Sequence, residues 1–171
     1  MDFPLYISQQ PKTLEGDAKT WIHIFLSNLV KGASILEVGS GTGRDAQYIE
    51  QAGYKIVRTD IHQEFVDYQK HVHGASVHMY DVKMSELPSE LPQKYDAILA
   101  RSVLSHFTAG DVKKILKILI GHLNAKGFIA FNITKDLGIC EIKSFLNNEN
   151  MILRYEAVES DIGVYLTYLK A

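Results

Sequence analysis

The sequence predicts an α/β fold: a seven-stranded, mostly parallel sheet with an antiparallel last strand and helices on both faces. Three observations predict it. Apolar runs of four to six residues alternate with stretches of helical periodicity from residue 14 onward, the pattern of strand-helix-strand units. The first such run, Ile35-Leu36-Glu37-Val38, breaks into Gly39-Ser40-Gly41-Thr42-Gly43 and restarts as a helix, which is a strand, a tight turn and a helix start. The last two runs, 152–159 and 164–169, are separated only by Ser160 to Gly163, too short for a helical crossover, so they must form an antiparallel hairpin.

Residues 1–12 hold two of the four prolines and read as an irregular lead-in, and 13–171 as a single domain, since 171 residues suit one core. Leu14, Ala18, Trp21, Ile22, Phe25 and Leu29 then recur at helical spacing, with Gly32 as a stop. After the glycine turn a helix runs from about Asp45 to Ala52. Lys55 to Thr59 is a second strand finishing in Asp60, and a helix over 63–72 leads to a strand over 76–80 that ends in Asp81-Val82. Ser85 to Gln93, with Pro88 and Pro92, is a loop before the fourth strand, Tyr95 to Ala100. Thr108 and Asp111 have capping-box character ahead of Val112, Ile115, Leu116, Leu119 and Leu123, a helical apolar face. Asn124 to Gly127 reads as a turn, 128–131 as a fifth strand, and 141–146 as a short helix.

Bulk properties exclude several functions. The chain is 46% hydrophobic and 22% charged, and no apolar stretch is long enough to span a bilayer. A net charge of -2 argues against a nucleic-acid binder that relies on many phosphate contacts. Cys140 is the only cysteine, and the first residues lack a secretory pattern, so a cytoplasmic location is expected. His71, His73 and His78 straddle a helix end and a strand and match no ligand spacing, so no metal is expected.

The glycine turn points to a nucleoside cofactor lying against backbone. A dinucleotide site wants G-x-G-x-x-G, but the third position is Arg44. Asp60, 21 residues after Gly39, is placed to accept hydrogen bonds from both ribose hydroxyls. The G-x-G-x-G with Glu37 before it, Asp60, Asp81 and the segment Arg101-Ser102-Val103-Leu104-Ser105-His106-Phe107 together resemble the class I S-adenosylmethionine (SAM) dependent methyltransferases, a Rossmann-like fold whose sheet ends in such a hairpin. The resemblance runs from about Trp21 to the C-terminus. Gly-Thr-Gly-Arg-Asp further resembles bacterial small-molecule enzymes, the group that includes the tellurite and thiopurine methyltransferases. Ser40 stands where many members have cysteine, and Gly127-Phe128 where many have two glycines.

The resemblance implies that SAM is the cofactor and S-adenosylhomocysteine (SAH) the product. It implies that Glu37 orients water or the methionine amino group, that Gly39, Ser40 and Gly41 expose backbone to the methionyl part, that Asp60 with Ile61 holds the ribose end, and that Asp81 and Val82 frame the adenine. Arg101 would approach the cofactor carboxylate, with Arg44 as the alternative, although Arg44, at a helix start, is expected to face solvent. His106 is the candidate base for a hydroxyl or amine acceptor, because histidine titrates near neutrality. The chain carries neither a [DN]-P-P-[YF] motif nor a Pro-Cys pair, which disfavours exocyclic amino and cytosine C5 substrates. A small-molecule acceptor is expected, with Tyr6, Trp21, Phe107 and Asn132 as pocket candidates, in a monomer or homodimer. Two other classes stay open: an inactive SAM-binding module, and an NAD-linked oxidoreductase.

Overall fold

A computed structural model of the chain describes residues 3–159 and 163–171. The expected hairpin turn, at 160–162, and Met1 and Asp2 of the lead-in lie outside the described residues. The elements follow in the order α1 (Phe3–Gln9), α2 (Gly16–Ser27), β1 (Ser34–Val38), α3 (Arg44–Gln51), β2 (Lys55–Asp60), α4 (Gln63–His73), β3 (Val77–Met79), β4 (Tyr95–Ala100), a 3₁₀ turn (Leu104–His106), α5 (Ala109–Gly121), β5 (Leu123–Thr134), a second 3₁₀ turn (Lys135–Leu137), α6 (Ile139–Asn148), β6 (Met151–Glu159) and β7 (Gly163–Lys170).

The strands form one seven-stranded sheet in the order β3-β2-β1-β4-β5-β7-β6. β1 pairs in parallel with β2 and β4, β2 with β3, and β4 with β5. β7 runs antiparallel to both β5 and β6, so it alone opposes the direction of the other six. Period-two alternation divides the strands between two cores. Ile35, Ala97, Leu99, Ala130 and Tyr165 face Trp21, Ile22 and Phe25 of α2 and Ile49 of α3. Leu36, Ile98, Phe131 and Leu166 face Val112, Leu116 and Leu119 of α5 and Ile142 and Leu146 of α6. Thr108 caps α5 as expected: its hydroxyl accepts from the Asp111 N–H and donates to the Asp111 carboxylate at 2.9 Å.

Three local expectations are corrected. The lead-in is not irregular through residue 12, because α1 occupies Phe3–Gln9; Pro4 sits in the first turn, where no N–H is needed, and Pro11 lies beyond the end. β5 begins at Leu123 rather than 128. Leu123 pairs with Tyr95 and Phe128 with Ala97, so the expected turn at 124–127 is an irregularity within the strand, with Lys126 at φ 61°. Trp21 is not a pocket residue: it is 1% exposed and stacks on Tyr165, with ring centroids 4.5 Å apart.

The chain order reverses across β1 and β4, since β2 and β3 lie on one side of β1 and β4 and β5 on the other. In an open α/β sheet that reversal opens a crevice at the carboxyl ends of the strands, here between the loops at 39–43 and 101–107.

Candidate functional site

A cavity of about 530 Å³ occupies this crevice. Its walls come from the glycine loop, from Asp60, Ile61 and His62 after β2, from Tyr80, Asp81 and Val82 after β3, and from Arg101 to Val103 with His106 and Phe107 after β4. Tyr6 and Gln10 border it from the amino-terminal segment. Nine of the ten sequence-predicted site residues therefore share one cavity; Glu37 is not part of its wall.

The glycine loop is held from behind by a buried polar network. Gln69 of α4 is fully buried, and its amide donates to Ser40 Oγ at 2.8 Å and to the Gly41 carbonyl at 2.9 Å. Its amide oxygen accepts from Arg58 Nη1 at 2.9 Å, while Arg58 Nη2 reaches Glu50 at 2.6 Å. With both ends of the Gln69 amide paired, such a network fixes one loop conformation. Gly43 belongs to this packing, for it has φ 78° and a Cβ there would run into Gln69. Gly41 differs. It has φ 54° and nothing within 4 Å of where a Cβ would be, so its backbone faces open cavity.

Asp60 is 3% exposed at the end of β2. Its Oδ2 accepts from the Gly41 N–H at 2.8 Å and its Oδ1 from the His62 N–H at 2.9 Å, which locks the carboxylate while each oxygen keeps a further lone pair. Asp81 Oδ1 accepts from the Lys83 N–H at 3.0 Å, and Ile61 beside the site is 49% exposed. Tyr80 donates to the Met84 carbonyl at 3.0 Å, and burial together with the Asp81 charge pushes its hydroxyl up to about 12.

Behind the loop lies a cluster of charge. Glu37 is 3% exposed, and its Oε2 has no hydrogen-bond partner among the described residues. Burial, then the Asp45 charge, raises its pKa well above the usual carboxylate range, opposed by Arg58 and Arg101. The Arg101 guanidinium is bound by Asp45 through two hydrogen bonds, Nη2 to Oδ1 at 2.8 Å and Nε to Oδ2. Burial disfavours that cation, but the Asp45 hydrogen bond and charge outweigh it and raise the pKa. Arg44, expected at the solvent face, is half-buried and lines the cavity.

His106 is exposed at the cavity rim on the 3₁₀ turn. The loop that carries it is anchored at Ser102, whose N–H donates to Asn132 Oδ1 at 2.6 Å and whose φ of 58° is unusual outside glycine. Asn132, expected in the pocket, thus holds the loop from β5 instead. The three clustered histidines have separate partners: His71 meets the Asp67 carbonyl, His73 bridges Gln47 and the Thr42 carbonyl, and His78 lies 3.6 Å from Glu90.

Sequence reasoning missed Asp45, Arg58 and Gln69. The available signal was Gln69, a polar residue four positions after Phe65 on the buried side of a helix.

A family model described as a methyltransferase domain matches residues 36–129. No curated protein sequence matches the chain. Solved structures with this fold include a TehB-like SAM-dependent methyltransferase from Corynebacterium glutamicum, 17% identical over 98% of this chain and 93% of that one, with a TM-score of 0.74. They also include a magnesium protoporphyrin IX methyltransferase from Synechocystis with bound SAH, 14% identical over 99% of this chain and 94% of that one, TM-score 0.71. A third is a Burkholderia thailandensis 1,6-didemethyltoxoflavin-N1-methyltransferase with bound 1,6-didemethyltoxoflavin and SAH, 16% identical over 90% of this chain and 77% of that one, TM-score 0.72.

Proposed function

Matched over more than half its length, the chain belongs to the methyltransferase-domain family, and on that premise we propose that it transfers the methyl group of SAM to a small-molecule acceptor. The observation that carries this reading is the meeting of three groups in one cavity: open backbone at Gly41, the locked carboxylate of Asp60, and Asp81 with Val82. These residues fit the cofactor, because a nucleoside with an amino-acid tail offers hydroxyls for Asp60, an adenine edge for Asp81 and Val82, and a chain that can lie against Gly41, where no side chain stands in the way. The small-molecule part is supported by the 1,6-didemethyltoxoflavin bound to the Burkholderia protein of this fold. Family membership also removes the case for an NAD-linked oxidoreductase.

A SAM cofactor would supply an activated sulfonium methyl, so the protein's task is chiefly positioning. Holding the reactants in line is where the cavity wall would act, and near-attack positioning can supply on the order of 7 to 11 kcal/mol. His106 is proposed to accept the acceptor's proton when that acceptor is a hydroxyl or protonated amine. Such a base typically adds about 10²- to 10⁴-fold.

Titration with SAH by calorimetry tests the reading. Wild type should bind saturably, NADH should not compete, and Asp60→Ala should lose binding. His106→Asn should keep SAH affinity and lower only turnover. No SAH binding by wild type would overturn the reading.

A further inference from the structure

Helix α4 turns one stripe of side chains toward the glycine loop. Phe65, Gln69 and His73 recur at four-residue spacing, so they stand one above another on a single face. Phe65 lines the cavity, and Gln69 holds Ser40 Oγ and the Gly41 carbonyl. His73 Nε2 lies 3.0 Å from the next carbonyl, that of Thr42. A carbonyl only accepts, so Nε2 donates to it, and His73 Nδ1 takes the N–H of Gln47 Nε2, in α3, at 2.5 Å. Two successive carbonyls of the loop are thus drawn to one helix, and the second tie reaches on into the helix that follows the loop.

The loop has need of such ties. Gly39, Gly41 and Gly43 all stand at positive φ, 68°, 54° and 78°. Glycine loses more conformational freedom on ordering than any other residue. If the loop were free before a ligand arrived, that loss would weaken binding; a loop already set by α4 avoids it.

We propose that Gln69 and His73 are positioning residues, which hold the glycine loop in its binding conformation in the free protein. Affinity for whatever lies against Gly41 then depends on α4. The inference rests on the proposed function, in which that part of the ligand is the amino-acid tail of the cofactor. The nucleoside part is met elsewhere, by Asp81 and Val82 after β3 and by Asp60, whose carboxylate is also held by the His62 N–H.

Calorimetry with SAH and with 5′-methylthioadenosine, which keeps the nucleoside and lacks the amino acid, separates positioning from a general loss of stability. His73→Leu removes the tie at Thr42, His73→Gln keeps an amide N–H for it, and Gln69→Met removes the tie at Gly41. His73→Leu and Gln69→Met should each weaken SAH roughly 5- to 30-fold and leave 5′-methylthioadenosine within about twofold. His73→Gln should recover most of the SAH affinity. In the free proteins, hydrogen exchange of peptides covering residues 39–43 should be faster in His73→Leu and Gln69→Met than in wild type and His73→Gln. Gln69→Met also takes an acceptor from the buried Arg58, so if that variant does not fold, the two His73 variants carry the test. Wild-type SAH affinity in His73→Leu, or a loss of the same size for both nucleosides, overturns the proposal. If wild type binds neither nucleoside, the cofactor reading fails and loop exchange decides the role of α4: faster exchange in His73→Leu, reversed in His73→Gln, supports it, and unchanged exchange overturns it.

Discussion

Glu37 lies behind the glycine loop without lining the cavity. Its carboxylate is buried behind the glycine loop with one oxygen unpartnered, and ionising it there lacks the solvation or hydrogen bonding that offsets a buried charge. Its pKa is accordingly raised above 4.5 by burial and by Asp45. For a group whose folded pKa lies above the unfolded one, the stabilising contribution is complete below the unfolded value and is lost as pH rises through the folded value. Glu37→Gln mimics the protonated form at every pH. The melting temperature of Glu37→Gln minus that of wild type should therefore grow as pH rises from about 4.5, read by thermal denaturation across a pH series. A difference that stays flat, or shrinks, would show that Glu37 is not held protonated by the fold.

Among the elements, β1, β4 and β5 are tied together at the end of the sheet away from the cavity, and a single side chain does it. Asp96 Oδ2 accepts from the Ser34 N–H at 2.9 Å and from the Ser34 hydroxyl at 2.9 Å, and its Oδ1 accepts from Asn124 Nδ2 at 2.9 Å. The Ser34 backbone hydrogen bond, followed by that of Asn124, lowers the Asp96 pKa. Here the linkage has the opposite sign to Glu37: the contribution is present above the unfolded value near 3.8 and fades as pH falls through the lower folded value. Asp96→Ala should cost about 1 kcal/mol near neutral pH, discounted for solvent screening at this partly exposed position. Urea unfolding at pH 7 and below pH 3 should show that difference narrowing in acid. Because the tie is far from the cavity, SAH affinity should be unchanged.

In the molecule as a whole, what could be read from the sequence follows the distance over which each residue's partners lie. Asp60 and Asp81 were legible because each ends an apolar strand, and the hairpin at 152–169 because its connection is short. The partners of Gln69 were not, since Ser40 and Arg58 stand 29 and 11 residues away and only the folded sheet brings them together. The same holds for Asp45 and Arg101, 56 residues apart, whose ion pair no local pattern announces. The least legible part was α1, whose prolines suggested an irregular segment. It contributes no buried residue, yet Phe3 packs on His62 and Phe65 with ring centroids 5.0 and 5.3 Å apart, and Tyr6 borders the cavity, as does Gln10 just past the helix end. An element that closes a cavity without entering the core should matter more to the liganded protein than to the free one. Removing residues 1–12 should cost the free protein about 1 kcal/mol, a fall of about 2–4 °C in melting temperature. In the full chain, SAH at a hundred times its Kd should add about 2.7 kcal/mol, an increase of about 5–10 °C. At the same SAH concentration the shortened chain should show less than half of that increase. Equal ligand-induced shifts in the two proteins would mean that α1 merely lies beside the cavity and takes no part in holding what binds there.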